Sequence, residues 1–405
     1  MRWSVKVLAA AAALCVGTSL AQAQYSDGII KLGVMNDQSG LYSDLSGQGS
    51  VWSAKKAIED FCKSTTCHDK IEVVFADHQN KPDVGSNIVR QWFDVDKVDA
   101  VVDVPTSSVA LAVNNITKEK NKVFLVSGAA SSDLTGKACT PNTVHWTYDT
   151  WALANGTGNA IVKTGGDSWF FLTADYAFGH ALERDTAAVV EKSGGKVVGK
   201  VRHPFPGQDF SSFLLQAQQS KAKIIGLANA GSDTTNAIKQ AAEFGIVQGG
   251  QNLAGLLVFI TDVHALGLKT ARGLVLTEAW YWDQTDNNRA YAKEFGAANK
   301  GNMPTMVQAG VYSAVFHYLK AVHDLKSDAD GAAVVAKMKA LPTEDKLFGK
   351  GSIRADGRKI HPMYLFEVKS PAESKGPWDY NKVRATITAD EAFRPLADGG
   401  CPLVK

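Results

Sequence analysis

Short, largely apolar runs alternate with longer amphipathic stretches, and the alternation occurs twice along this chain. The first series reads as a strand at Ile29–Met35, a helix at Gly49–Phe61 with Val51, Ala54, Ala57 and Ile58 on one face, a strand at Ile71–Ala76, and a helix at Val84–Phe93. It continues through the runs Val98–Val104 and Val123–Val126, with a helix from about Val109 to Lys120 between them. The second series has strands at Trp169–Leu172, Lys196–Lys200 and Ile224–Ala228, with helices at Gly179–Lys192, Phe210–Gln219 and Thr234–Phe244. Strand and helix in strict succession imply parallel sheets covered on both faces. The fold class is therefore α/β, with two doubly wound parallel-sheet lobes.

The aromatic passage Val144–Trp151 lies between the series and is expected to cross from one lobe to the other. Leu276–Asp283 resembles a return crossing, after which helices near Asn288–Asn299 and Ala309–Leu325 complete the first lobe. The tail after Gly351 is expected to cross a third time, making a three-crossing hinge. On this reading residues 24–147 and about 279–350 form lobe 1, and about 148–278 and 351–405 form lobe 2. The segment Ser370–Tyr380, with Pro371, Gly376 and Pro377, reads as a surface loop.

Arg2 and Lys6, an apolar stretch from Val7 to about Leu20, and Ala21-Gln22-Ala23 have the order of a secretory signal peptide, residues 1–23, cleaved near Ala23. No later segment offers the roughly 20 apolar residues of a membrane span, so a free periplasmic protein is expected. The chain has 43 Lys and Arg against 41 Asp and Glu. Two of the basic residues lie in the leader, so the mature chain is balanced and lacks the basic footprint of a nucleic-acid binder. Cys62, Cys67, Cys139 and Cys401 remain after cleavage, an even count that reads as two disulfides in an oxidising compartment. Three pairings are possible; the short loop between Cys62 and Cys67 suits a local clip, which leaves Cys139 with Cys401. No cysteine spacing matches a zinc site.

Two of the strands end in hydroxyl clusters: Pro105-Thr106-Ser107-Ser108 and Ser127-Gly128-Ala129-Ala130-Ser131-Ser132-Asp133. If those strands are parallel neighbours, both clusters sit at the carboxyl edge of the sheet, where open α/β sheets bind ligands. The helix after the first cluster would aim free N–H groups and a positive dipole end at the same point. A carboxylate could be held there without an arginine, since each charge-assisted hydrogen bond contributes roughly 1.5 to 3 kcal/mol. The plain alternative is that Thr106 or Ser107 caps a helix. Gly47-Gln48-Gly49 has Trp52 where a dinucleotide fingerprint needs its third glycine. The Gly-x-Ser-x-Gly elbow and the His-Glu-x-x-His pair are absent, and the scattered histidines, His317 and His323 among them, read as surface or hinge residues. Asp175-Tyr176-Ala177-Phe178-Gly179 is either a strand-to-helix turn with Phe178 in the core or an aromatic wall of the cleft.

These residues resemble the branched-chain amino acid class of type I periplasmic binding proteins, the solute receptors of ABC importers. The resemblance rests on the segment from Gly33 to Tyr42, the two hydroxyl loops, Thr173–Gly179 and Gly310–Val315. Through Ala76–Asp83 and His145–Thr150 the chain is similar to the alphaproteobacterial branch associated with aromatic acids such as hydroxycinnamates and benzoates. The resemblance implies that Ser107 and the backbone of Ala129 to Ser131 hold a ligand carboxylate, with Tyr42 and Phe178 facing each other from opposite lobes. The full expected contact set adds Thr106, Ala130, Tyr148, Tyr176, Asn229 and Asp262. Amino acid binders commonly have threonine where Ala130 stands, so Ser131 would substitute. They also meet the ligand ammonium with an acidic residue of the second lobe. Asp262 pointing into the cleft would keep an amino acid ligand open; otherwise an aromatic acid is favoured.

The expected function is capture of a small carboxylate ligand by hinge closure and delivery to an inner-membrane permease. No chemistry, cofactor, metal or nucleic acid is expected, and the protein should be a monomer. A branched-chain or other hydrophobic amino acid binder, a ligand-sensing receptor and an exported hydrolase are the alternatives.

Overall fold

The computed structural model describes residues 25–404 apart from Thr66, His68 and Asp69; the expected leader and its cleavage site lie outside the described residues. The chain opens with β1 (Ile29–Asn36), α1 (Gly47–Ser64), β2 (Lys70–Asp77), α2 (Pro82–Asp94), β3 (Ala100–Asp103), α3 (Ser107–Glu119), β4 (Val123–Val126) and β5 (Thr143–His145). The five strands form one parallel sheet in the order β2-β1-β3-β4-β5. Every residue of β3 and β4 is buried, which is why central parallel strands read as unbroken apolar runs.

The chain then crosses into a second lobe through α4 (Thr150–Leu153), a π turn at Ala154–Gly158 and α5 (Asn159–Lys163). There β6 (Ser168–Ala174), α6 (Ala177–Lys192), β7 (Lys196–His203), α7 (Ser211–Gln219), β8 (Ile224–Ala228), α8 (Ser232–Glu243) and β9 (Asn252–Gly255) build a parallel sheet in the order β7-β6-β8-β9. After α9 (Ile260–Leu266), α10 (Leu268–Ala271) and β10 (Val275–Glu278), the chain returns to supply α11 (Asp286–Ala298), α12 (Met306–Leu325) and α13 (Gly331–Ala340). A small antiparallel sheet of β11 (Thr343–Asp345), β12 (Gly349–Ile353) and β13 (Lys359–Ile360) follows. Finally β14 (Met363–Val368) and β15 (Asn381–Ile387) join β10 in an antiparallel sheet, order β10-β14-β15.

The sequence suggested parallel sheets alone. The antiparallel additions lie in the tail, where β15 is mostly polar and exposed and β14 buries only part of its length, with Phe366 and Val368 reaching the second lobe's core. Ser370–Tyr380 is a loop, as its composition suggests, but it is pinned down. Trp378 is buried, its carbonyl accepts from Tyr281 Oη at 3.0 Å and Trp282 Nε1 at 2.9 Å, and its ring stacks on His264. The histidines also need correction: His78, His203 and His317 are buried inside the lobes, neither at the surface nor in the hinge. Burial pushes His78 and His317 down to about 4, so both are neutral hydrogen-bonding pieces of the core at neutral pH.

The hinge is held by an arginine. Arg358, fully buried just before the third crossing, donates from Nη2 to the Trp146 carbonyl and from Nη1 to the Tyr148 carbonyl, each at 2.9 Å. Its Nε reaches the Lys359 carbonyl at 3.0 Å, its Nη1 lies 3.6 Å from Asp149 Oδ2, and its guanidinium covers the Phe393 ring. His145 N–H donates to the Gly357 carbonyl at 2.9 Å, so the first and third crossings run side by side.

Both disulfides form, Cys62 with Cys67 and Cys139 with Cys401. Their sequence separations, 5 and 262 residues, set very different constraints on the unfolded chain. By loop-closure entropy the short clip contributes about 2 kcal/mol and the long link about 5 kcal/mol. The double serine variant of Cys139 and Cys401 is expected to lose roughly twice the stability lost by that of Cys62 and Cys67, read from chemical denaturation midpoints. Equal losses would show that the tail linkage does not constrain the unfolded state.

Candidate ligand-binding site

The parallel pairing of β3 with β4, Asp103 opposite Val126, places the two hydroxyl loops side by side at the carboxyl edge of the first sheet. Ser131 N–H donates to Ser107 Oγ at 3.2 Å. Thr106 occupies the N-cap position of α3 without capping it; its hydroxyl turns to Asn80 Oδ1 instead. The first-turn N–H groups of this 13-residue helix therefore have no side-chain cap, and the positive end of its dipole lies beside the second loop. Carbonyls of that second loop are turned back toward the hinge. Gly128 accepts from Tyr148 Oη at 2.7 Å, Ala129 from His145 Nε2 at 2.7 Å, and Ala130 from Thr150 N–H at 2.8 Å.

Tyr42 reaches the cleft on a loop organised by Asp37, whose carboxylate accepts from the N–H groups of Gly40 at 2.6 Å and Tyr42 at 2.9 Å and from Asn80 Nδ2 at 2.7 Å. The far end of that loop is fastened to the start of α12. Thr305 Oγ1 donates to the Leu45 carbonyl at 2.7 Å, and Gln308 Nε2 to the Ser46 carbonyl at 3.1 Å.

From the second lobe, Tyr176 and Phe178 enter at the end of β6. Tyr42 Oη and Tyr176 Oη meet across the cleft at 2.5 Å, and Phe205 stacks on Tyr176 with ring centroids 3.9 Å apart. The cavity between the lobes is lined by Tyr42, Ala130, Tyr148, Tyr176 and Phe178 of the expected set. Leu45, Pro105, Gly128, Ala230, Leu257 and Phe259 complete its wall. None of these lining residues carries a charge. Burial holds the phenols of Tyr42, Tyr148 and Tyr176 protonated, so the walls offer aromatic faces, hydroxyls and backbone dipoles.

Thr106, Ser107, Ala129 and Ser131 are buried immediately behind this wall. Ser131 Oγ accepts from Asp133 N–H at 3.4 Å. Asn229 and Asp262 are absent from the lining as well, and both are engaged within the second lobe. Asn229 is bonded within the second lobe, its Nδ2 to His203 Nε2 at 3.1 Å and its Oδ1 to Thr234 Oγ1 at 2.7 Å. Asp262 caps α9, accepting Phe259 N–H at 2.8 Å, and burial pushes its carboxyl up to about 7. Leu257 and Phe259 were missed because the run Leu256–Ile260 reads as ordinary core. The signal was its place just after a strand of the second lobe, the same logic that singled out the serine loops.

Outside the cavity a wider polar groove is lined by residues including Asp37, Ser39, Leu41, Gln79, Asn80, Gln208, Ser232 and Asn236. Gly231 separates the two. At φ +60° it brings the second lobe's backbone so close to the first that an added Cβ would lie 2.5 Å from the Leu41 carbonyl oxygen and 3.1 Å from the Tyr42 ring.

Two parallel α/β lobes, a triple crossing and a cleft at the strand carboxyl ends define a type I periplasmic binding protein. The chain belongs to the periplasmic binding protein family, whose sequence model matches residues 29–377. A periplasmic binding protein from Burkholderia mallei is 52% identical, with a TM-score of 0.91 over 94% of this chain and 100% of the other. A branched chain amino acid ABC transporter periplasmic ligand-binding protein from Burkholderia xenovorans LB400 is 38% identical, with a TM-score of 0.81 over 93% and 100%. A solute binding protein of an ABC transporter from R. palustris, solved in complex with benzoate, shares the fold at 21% identity and a TM-score of 0.77, over 93% and 100%. These relatives are solute-binding proteins rather than enzymes. No helix among the described residues is long and apolar enough to cross a membrane.

Proposed function

We propose that this protein is the exported, periplasmic receptor of an ABC importer and captures a small aromatic carboxylate by closing its lobes. The observation that carries the reading is the uncharged, aromatic-lined cavity set against the uncapped start of α3 and the Ala129–Ser131 loop. Tyr42 and Tyr176, joined across the cleft, have to part to admit a ring between the faces contributed by both lobes, where aromatic contacts contribute about 0.5–1.5 kcal/mol each beyond area burial. The ligand carboxylate lies on Ser107, Ser131 and the backbone amides of the loop and of α3, held by dipoles. Asp262, the residue available to meet an ammonium, is engaged in capping α9, which favours an acid over an amino acid. The benzoate held by a protein of the same fold supports the choice of ligand class. Closure shields the ligand from water and creates the surface that a membrane permease accepts.

A thermal-shift series tests the ligand class. Benzoate, 4-hydroxybenzoate and hydroxycinnamates are expected to raise the melting temperature, because a ligand at about 100 times its Kd adds about 2.7 kcal/mol to the native state. Leucine, valine and phenylalanine are expected to leave it unchanged. Stabilisation by the amino acids alone would reverse the assignment.

A further inference from the structure

We propose that Asp103 takes up a proton when the ligand carboxylate binds, so that this receptor captures its acid more tightly as the surroundings acidify. The inference rests on the functional reading above. Asp103 ends β3, directly beneath the loop assigned to the carboxylate. A Cβ on Gly128 would lie 2.7 Å from Asp103 Oδ1 and 2.7 Å from the Pro105 Cα, so only glycine separates this carboxyl from the cavity wall. The backbone is held in an unusual form to put it there: Asp103 has φ +80° and Val104 φ +53°. Two successive non-glycine residues in the left-handed region, one β-branched, persist only where the surroundings enforce them, and such strain clusters at ligand sites.

The surroundings leave Asp103 without a counter-charge. From β1, Asn36 Nδ2 donates to its Oδ2 at 3.0 Å. From the start of α1, the buried hydroxyls of Ser46 and Ser50 face it and favour its ionised form. From the first crossing, Tyr148 faces it with a protonated phenol. Desolvation outweighs these dipoles and pushes the carboxyl up to about 6, with no charged side chain contributing. An anion placed on the far side of Gly128 disfavours the ionised form further. By reciprocity, a proton on Asp103 raises affinity for the anion. Affinity therefore falls as pH rises through the window that begins near 6, by up to about tenfold per pH unit for one linked proton, while the ligand stays ionised above its ordinary value of about 4.

Titration calorimetry with benzoate tests the coupling. Near pH 7, wild type is expected to show a binding enthalpy that depends on the buffer's ionisation enthalpy, reporting uptake of up to one proton, and Kd should rise at least about fivefold between pH 6 and 8. Asp103→Asn is expected to show neither effect and to bind benzoate more tightly than wild type at pH 8. Buffer-independent enthalpy with a flat pH profile in wild type overturns the inference without any variant, as does an Asp103→Asn protein that keeps the pH dependence. Absence of benzoate binding at every pH would overturn the ligand class and the coupling together; binding without proton uptake would remove the coupling alone.

Discussion

Arg358→Met is expected to lower the melting temperature by on the order of 4–6 °C. The guanidinium satisfies three buried carbonyls, those of Trp146, Tyr148 and Lys359, and lies against Asp149, a carboxylate buried in the same place. Methionine fills much of the volume but donates nothing. The three carbonyls then lose their partner in a site water does not reach, and Asp149 loses the charge that offsets its burial. Breaking one side of such a buried arrangement costs about 3–5 kcal/mol, and a protein of this size shifts by roughly 1.3 °C per kcal/mol. Arg358→Lys is expected to fall in between, because a single ammonium cannot serve acceptors spread over two crossings. Scanning calorimetry decides the matter; a shift under about 2 °C for methionine would mean the crossings are held by something else.

Gly231→Ala is expected to weaken ligand binding by at least about tenfold while leaving the fold intact. The clash it introduces is between lobes, against the Leu41 carbonyl and the Tyr42 ring, so it acts on the closed form and spares the open one. The positive φ adds a local cost of roughly 1 kcal/mol carried by both forms. A backbone carbonyl on an anchored loop cannot move aside as a flexible side chain would, so the lobes must stay apart. Small-angle scattering with ligand at saturation is expected to show a larger radius of gyration for the variant than for wild type. Equal affinities and equal radii would show that the approach of Gly231 to Leu41 is not part of closure.

The sequence made the parallel sheets legible because a strand buried on both faces has little choice of composition. Val123–Val126 and Ile224–Ala228 were placed to the residue, whereas β3 is shorter than its apolar run, with Val104 turned into the loop. The serine clusters were legible as loops at strand ends because hydroxyls rarely follow such runs without purpose. The wall contributed by Leu257 and Phe259 could not be told from core, since both uses demand the same residues. Gly231 gave no signal either, because a glycine's importance lies in what approaches it, and here that is a loop some 190 residues earlier in the chain. Asp103 and Arg358 belong to the same class. Polarity is plain in the sequence, but burial, which gives each its character, is a property of the assembled lobes.

The bond between Cys139 and Cys401 closes a covalent ring that contains the whole second lobe and the return through the first. A protease entering at the exposed part of the Ser370–Tyr380 loop would cut within that ring, and the two fragments would still travel as one molecule until a reductant separated them. That ring makes a single nick survivable.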